Sequence, residues 1–266
     1  PVLRFALEHP NCLTLVYSRM QRHYRLHTYF GRYYEAVFLC GVAAGQYTKN
    51  NVVAYVTPKL DYARFTSDIN AFAIGVHSVR PDARVLIVTK DVDPRDPATN
   101  ALGVRTAASL GADVVLTPHY PELSLAELPY GAFSALVVVD ADGKPTRFLA
   151  APDWNWERFY TAMVKSYLNG SLNALLSNDL EESPITSFWW GLGGGVINVR
   201  FGSWSEGTPN NLLRYLRGSI AKNAYSPFHG PVVDNEGVIR VPAHSDAAPA
   251  DIIKMRFVVE GVEFID

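Results

Sequence analysis

The chain has 266 residues, which at roughly 150 residues per domain allows one large domain or two lobes of ordinary size. Hydrophobic residues make up 48% and charged residues 19%, a balance that builds a core and excludes an intrinsically disordered chain. Lys+Arg 24 against Asp+Glu 26 leaves a formal charge of -2, so no global basic field draws this segment to nucleic acid or an anionic membrane. Clean apolar runs such as 135–139 (ALVVV) fall far short of the roughly 20 residues that span a bilayer.

The chain opens at Pro1 on a helix-like segment from Val2 to Glu8, with neither an initiator Met nor a basic-then-apolar leader, and reads as starting inside a fold. A strand is expected at 13–17 and a long helix from about Phe30 to Tyr47. In that helix Gly41 and Gly45, four apart, suit the close approach of another backbone. Four apolar runs, at 52–56, 85–88, 113–117 and 135–139, lack polar alternation and read as parallel strands buried on both faces. Amphipathic helices separate them. One carries Phe65, Ile69, Phe72, Val76 and Val79 at helical steps; the next has Asp96 as N-cap, Pro97 at its first position and a stop at Leu110-Gly111. The spacing predicts a doubly wound lobe with right-handed crossovers.

Beyond residue 150, Asp153 reads as the N-cap of a helix with an unbroken apolar stripe: Trp156, Phe159, Tyr160, Met163, Val164, Tyr167 and Leu168. A glycine-rich turn at 191–195 feeds a strand, and Thr208-Pro209 opens a further helix with Leu212, Leu213, Leu216 and Ile220. The tail, with Gly230, Pro231, Asn235, Gly237 and Pro242, reads as a surface meander. Cys12 and Cys40 form no disulfide framework and lack metal-ligand spacing; both read as small buried residues.

Ligands of open parallel sheets bind beyond the carboxyl ends of the strands. Those ends carry Arg19; then Lys59, Asp61 and Tyr62; then Lys90, Asp91 and Asp93; then His119 and Tyr120; and finally Asp140 and Asp142. Trp154 and Trp156 flank Asn155 at a helix start, where indole faces beside an amide suit a planar or sugar ligand. Trp156 falls on the buried stripe, whereas Trp154 projects away from it. Enzyme signatures fail: the chain has no G-x-S-x-G elbow and no H-E-x-x-H pair. The run 191–195 lacks the Lys-Ser/Thr of a P-loop and precedes a strand, so a tight turn is expected there. Asp140-Ala-Asp-Gly143 lacks the later carboxylates of a calcium loop and also reads as a turn.

In order along the chain, 31–45 (GRYYEAVFLCGVAAG), 48–56 (TKNNVVAYV), 69–75 (INAFAIG), 78–83 (SVRPDA), 111–115 (GADVV), 154–156 (WNW), 228–231 (FHGP), 237–242 (GVIRVP) and 259–262 (VEGV) resemble the basic membrane protein family. These are the PnrA-like substrate-binding lipoproteins of ABC transporters. The resemblance implies an α/β fold of doubly wound parallel sheets in two periplasmic-binding-protein-like lobes. Residues 1–42 and 153–200 would be the remnant of an incomplete first lobe, and 43–152 with 201–266 the second lobe and its extension. It also implies that an early Asp-Asp-Lys-Ser-Phe-Asn-type ligand motif is absent from this chain.

Three departures fall where the family binds ligand: His119-Tyr120-Pro121 for His-Thr-Asp, Val137-Val-Val-Asp140 for Tyr-Asp-Ser-Asp, and Gly191-Leu-Gly-Gly-Gly195 for a turn bearing Lys and Asp. Each lost charged hydrogen bond costs a ligand about 1.5–3 kcal/mol. The expectation is therefore a non-enzymatic solute-binding component of an ABC transporter, free of cofactors and metals. It would close on a purine nucleoside or another small polar solute through Trp154, Asn155, Tyr62, Lys59, His119, Tyr120 and Asp140. Its partner would be a permease and its location extracytoplasmic, with a membrane anchor outside this segment. The alternative is a cytoplasmic ligand-sensing domain fused to a regulatory domain, and a third reading is an enzyme using Asp140 or His119.

Overall fold

The computed structural model describes residues 1–18, 23, 26–58, 62–89, 92–93, 96–118, 134–172, 174, 188–202 and 208–266. Helix α1 (Val2–Glu8) and strand β1 (Leu15–Tyr17) lead into β2 (His27–Gly31) and α2 (Tyr33–Tyr47). Then come β3 (Val52–Val56), α3 (Tyr62–His77), β4 (Arg84–Val88), α4 (Pro97–Ser109) and β5 (Val114–Pro118). The hairpin strands β6 (Ser134–Val139) and β7 (Pro145–Trp154) precede α5 (Trp156–Leu168), β8 (Phe188–Trp190), β9 (Ile197–Phe201) and α6 (Thr208–Ala221). A small hairpin, β10 (Val232–Val233) and β11 (Ile239–Val241), the short α7 (Pro249–Ile253) and β12 (Val262–Ile265) close the chain.

The apolar runs assemble into a seven-stranded sheet of order β12-β4-β3-β5-β6-β7-β9. Alternate residues of each strand face opposite sides. Val53, Tyr55, Val85, Ile87, Val114 and Leu116 meet α2 and α3, while Ala54, Val56, Leu86, Val88 and Val115 meet Ala101, Val104 and Ala107 of α4. Both faces are covered, as apolar continuity requires. The Asp96 side chain caps α4 by accepting the Ala98 N–H, and Gly111 ends it at φ +96.

Three expectations change for the large sheet and the helix on it. The run at 135–139 is antiparallel to β5, with Val114 opposite Val138 and Pro118 opposite Ser134; apolarity on both faces reports burial and carries no direction. The connection at 119–133 lies outside the described residues. The tail does more than meander, because β12 adds in parallel to the β4 edge, Val262 opposite Val85. The helix expected from Phe30 begins at Tyr33, since Phe30 and Gly31 close strand β2.

The second sheet is parallel, of order β1-β2-β8, with Tyr29 opposite both Tyr17 and Phe188. Helix α5 lies on it through Phe159 and Met163, packed with Leu172, Phe188 and Val196. Trp156 is half-buried against that cluster, and the remainder of the expected stripe is exposed: Tyr167 is 71% and Leu168 76% accessible. Its N-cap is Asn155, whose Oδ1 accepts the Arg158 N–H at 3.2 Å, and not Asp153. Cys40 is buried as expected, but Cys12 is exposed. Helix α2 is buried from Tyr33 to Gly45 against the seven-stranded sheet. Among the described residues, no helix is long and apolar enough to cross a membrane.

Candidate functional site

Three of the parallel strands of the large sheet hand over to a buried threonine at the carboxyl end: Thr57 after β3, Thr89 after β4 and Thr117 within β5. Thr89 Oγ1 donates to Asp266 Oδ1 at 2.6 Å, and Thr117 Oγ1 to the Pro118 carbonyl at 3.1 Å. Because β6 runs backwards, Ser134 at its start joins the same edge, as does Trp154 at the end of β7. Thr66, Ser67 and Asp68 of α3 and Asn100 of α4 are buried near the starts of their helices, which follow this edge. A row of small polar groups at the ends of apolar strands is suited to hydrogen-bonding an uncharged polar ligand.

Across from it stand the carboxyl ends of the small sheet, Tyr17, Gly31 and Trp190. Aromatic rings join the two edges. Trp154 stacks on Tyr33 (centroids 5.2 Å apart, planes at 7°) and on Trp156 (4.7 Å, 11°). Tyr17 presents its edge to both indoles at 6.1 and 5.4 Å, and its ring lies 4.9 Å from Phe30. The Tyr33 hydroxyl hydrogen-bonds Ser134, while burial and the nearby Asp68 carboxylate raise its pKa. Gly31 makes the stack possible, since a Cβ there would collide with the Trp154 ring.

The chain passes between the sheets three times, at 31–33, 154–156 and 190–197. The Arg32 N–H donates to the Trp190 carbonyl at 2.9 Å, and the Asn155 N–H to Val196 at 2.8 Å. Glu35 sits beneath, 2% exposed; its Oε2 accepts the Leu192 N–H at 2.8 Å and its Oε1 lies 3.0 Å from Arg32 Nε. The glycine run is the expected tight turn, with Gly195 at φ +70 and its N–H on the Leu192 carbonyl at 3.1 Å.

Burial raises the Glu35 carboxyl, against the opposing pull of Arg32 and the Leu192 N–H. A carboxyl raised on folding binds its proton more tightly when folded. Its stabilisation is thus full below the unfolded pKa and is lost as pH rises through the folded one. The stability of the wild type relative to Glu35→Gln is expected to fall as pH rises above about 4, the ordinary carboxylate value, read by urea unfolding of both proteins at each pH.

Of the residues expected from sequence, Trp154 and Asn155 stand at the junction of the two edges. Trp154 does not project freely, because its ring is stacked on two others, and Asn155 spends Oδ1 on its cap. Asp140 is at the opposite edge. The reversal of β6 carries it away, and its Oδ1 accepts the Asp142 and Lys144 N–H groups of the hairpin turn at 3.1 and 2.8 Å. Asp142 lies in that same turn. Lys59, His119 and Tyr120 lie outside the described residues, as do Arg19, Asp61, Lys90, Asp91 and the side chain of Tyr62, whose backbone opens α3. Sequence reasoning missed Tyr17, Tyr33, Ser134 and the threonines; the polar residue closing each apolar run was the available signal.

The chain is 9% identical to a transcriptional activator of the comK gene from Bacillus halodurans over 85% of its length and 77% of that structure, at a TM-score of 0.53. It is 12% identical to an ABC transporter solute-binding protein from Conexibacter woesei over 85% and 74%, at 0.52. The fold is periplasmic-binding-protein-like. In sequence, the chain is similar to a purine-binding protein of Brucella abortus, 23% identical over 242 residues, 88% of this chain and 64% of that one. A putative ABC transporter glucose-binding protein of Haloferax volcanii is 30% identical over 188 residues, 63% of this chain and 40% of the relative. The chain thus spans less than two thirds of the length of either. No protein-family model matches it.

Proposed function

We propose that this chain belongs to a non-enzymatic solute-binding component of an ABC importer, of the basic membrane protein type, working outside the cytoplasm with a permease as partner. Its ligand is a small, flat, polar molecule, a purine base or nucleoside first. The ligand sits between the two carboxyl edges, with Trp154 and Asn155 at the junction; Tyr62, Lys59, His119 and Tyr120, which follow apolar runs in the sequence, are its further proposed contacts. The carrying observation is that the carboxyl ends of two separate sheets face each other across three crossovers and an aromatic stack. The two binding-protein relatives support the reading. The lobes divide at the crossovers, with α1, β1, β2, α5 and β8 on one side and the seven-stranded sheet with its helices on the other.

A thermal-shift panel of purine bases, nucleosides and glucose tests it. A ligand at 100 times its dissociation constant adds about 2.7 kcal/mol of stability, and a purine is expected to give the largest shift. Stabilisation by glucose alone would replace the purine, and silence across the panel would remove the binding reading. The likeness to a transcriptional activator favours a second reading, a ligand-sensing module. Ligand-driven dimerisation without any loss of uptake on gene deletion would select it.

A further inference from the structure

Three chain segments join the two sheets, and the third is bonded to each of the others. Backbone bonds link Arg32 to Trp190 and Asn155 to Val196, and one side chain adds to them: Glu35 holds the Leu192 amide at 2.8 Å from the first turn of α2. That carboxylate is 2% exposed, and Arg32 Nε stands 3.0 Å from its other oxygen. The Arg32 guanidinium also hydrogen-bonds the buried Tyr34 hydroxyl, so the first crossover is itself braced from inside the core. Gly191 is shaped to this contact, because a Cβ there would collide with Glu35 Oε2 and lie 2.7 Å from Arg32 Nε. Helix α2 is buried in the large-sheet core, whereas Trp190, next to the turn, belongs to the small sheet. A buried carboxylate that accepts a backbone N–H across such a boundary restrains motion there more strongly than a neutral hydrogen bond does.

We infer that Glu35 is the positioning residue of the hinge: by tying the turn at 191–192 to the start of α2, it sets the angle the two sheet units adopt and the ease with which they move. The inference rests on reading the two units as lobes that close on a ligand, and its test needs no ligand, so the two readings fail separately. Spin labels on Lys144→Cys, at the β6–β7 turn, and Lys165→Cys, on α5, would report the inter-unit distance, with Cys12→Ser leaving only the buried Cys40. In both Glu35→Gln and Gly191→Ala the distance distribution is expected to shift or broaden. The Leu192 amide should also exchange roughly tenfold faster with solvent, as loss of a charge-assisted bond predicts. A residue that only fills space would lower the melting temperature and leave the distribution of the folded variant unchanged; that result overturns the inference. So does a Leu192 amide that exchanges at the free-peptide rate in the wild type, a measurement independent of whether either variant folds.

Discussion

Gly41→Ala is expected to destabilise the protein by about 3 kcal/mol or more, and Gly41→Leu to prevent folding. Helices α2 and α3 cross at a pair of glycines with no space left between the backbones. A Cβ on Gly41 would strike the Phe72 carbonyl, and one on Gly75 the Phe38 carbonyl. Gly45 repeats the pattern one turn on, its Cβ position 2.7 Å from the Val76 carbonyl oxygen. Backbone oxygen inside two packed helices cannot swing aside as a side-chain tip can, so the helices would have to part. Parting them opens the core around Phe38 and Phe72, both fully buried. Guanidinium unfolding of Gly41→Ala, Gly75→Ala and the pair reads the effect. The double variant should cost less than the sum of the singles, since the first substitution already separates the helices. A cost below about 1 kcal/mol for each single would mean that the crossing relaxes freely.

Trp154→Ala is expected to cost about 3 kcal/mol in stability and to uncouple the small sheet from the large one. The indole is the central ring of the Tyr33–Trp154–Trp156 stack and also meets Phe30 at 5.7 Å and Tyr17 at 6.1 Å. Its removal leaves a cavity between Gly31 and Ile197, whose side chain lies 2.5 Å from the Gly31 Cβ position. Trp154→Phe keeps a stacking ring and should recover more than half of the loss. Circular dichroism offers a second readout, because parallel indoles 4.7 Å apart couple their transitions and that signal should vanish in both variants. If Trp154→Ala binds a purine as tightly as the wild type while losing stability, the stack supports the cleft without touching ligand. A binding loss beyond roughly tenfold in the stable Trp154→Phe places the ring in contact with it.

Much of the architecture was legible along the chain because it rests on local causes. The strands at 52–56, 85–88 and 114–118 follow from β-branched runs, α4 from Asp96 and Pro97, and the turns at 140–143 and 191–195 from glycine and Asx chemistry. The small-residue pair Gly41 and Gly45 announced the helix crossing. The site was less legible. Trp154 drew notice because it and Trp156 flank Asn155 at a helix start, yet nothing near it in sequence says that Tyr33, on a different helix, would cover its face. Glu35 carried no signal at all, since a charged residue in the first turn of a helix ordinarily faces water.

By itself the sequence determined which apolar runs form buried strands, where α4 starts and stops, and that the chain builds an α/β fold. Only the tertiary structure decided strand direction and hence which loops share an edge. Burial is set by the composition of a few adjacent residues, and direction by which distant segment supplies the hydrogen-bond partners. Ser134 reached the carboxyl edge of the parallel strands and Asp140 the opposite one for that one reason, the antiparallel pairing of β6 with β5. Strand pairing likewise sorts the chain into two sheets of unequal size, joined by three crossovers that no single stretch of sequence contains.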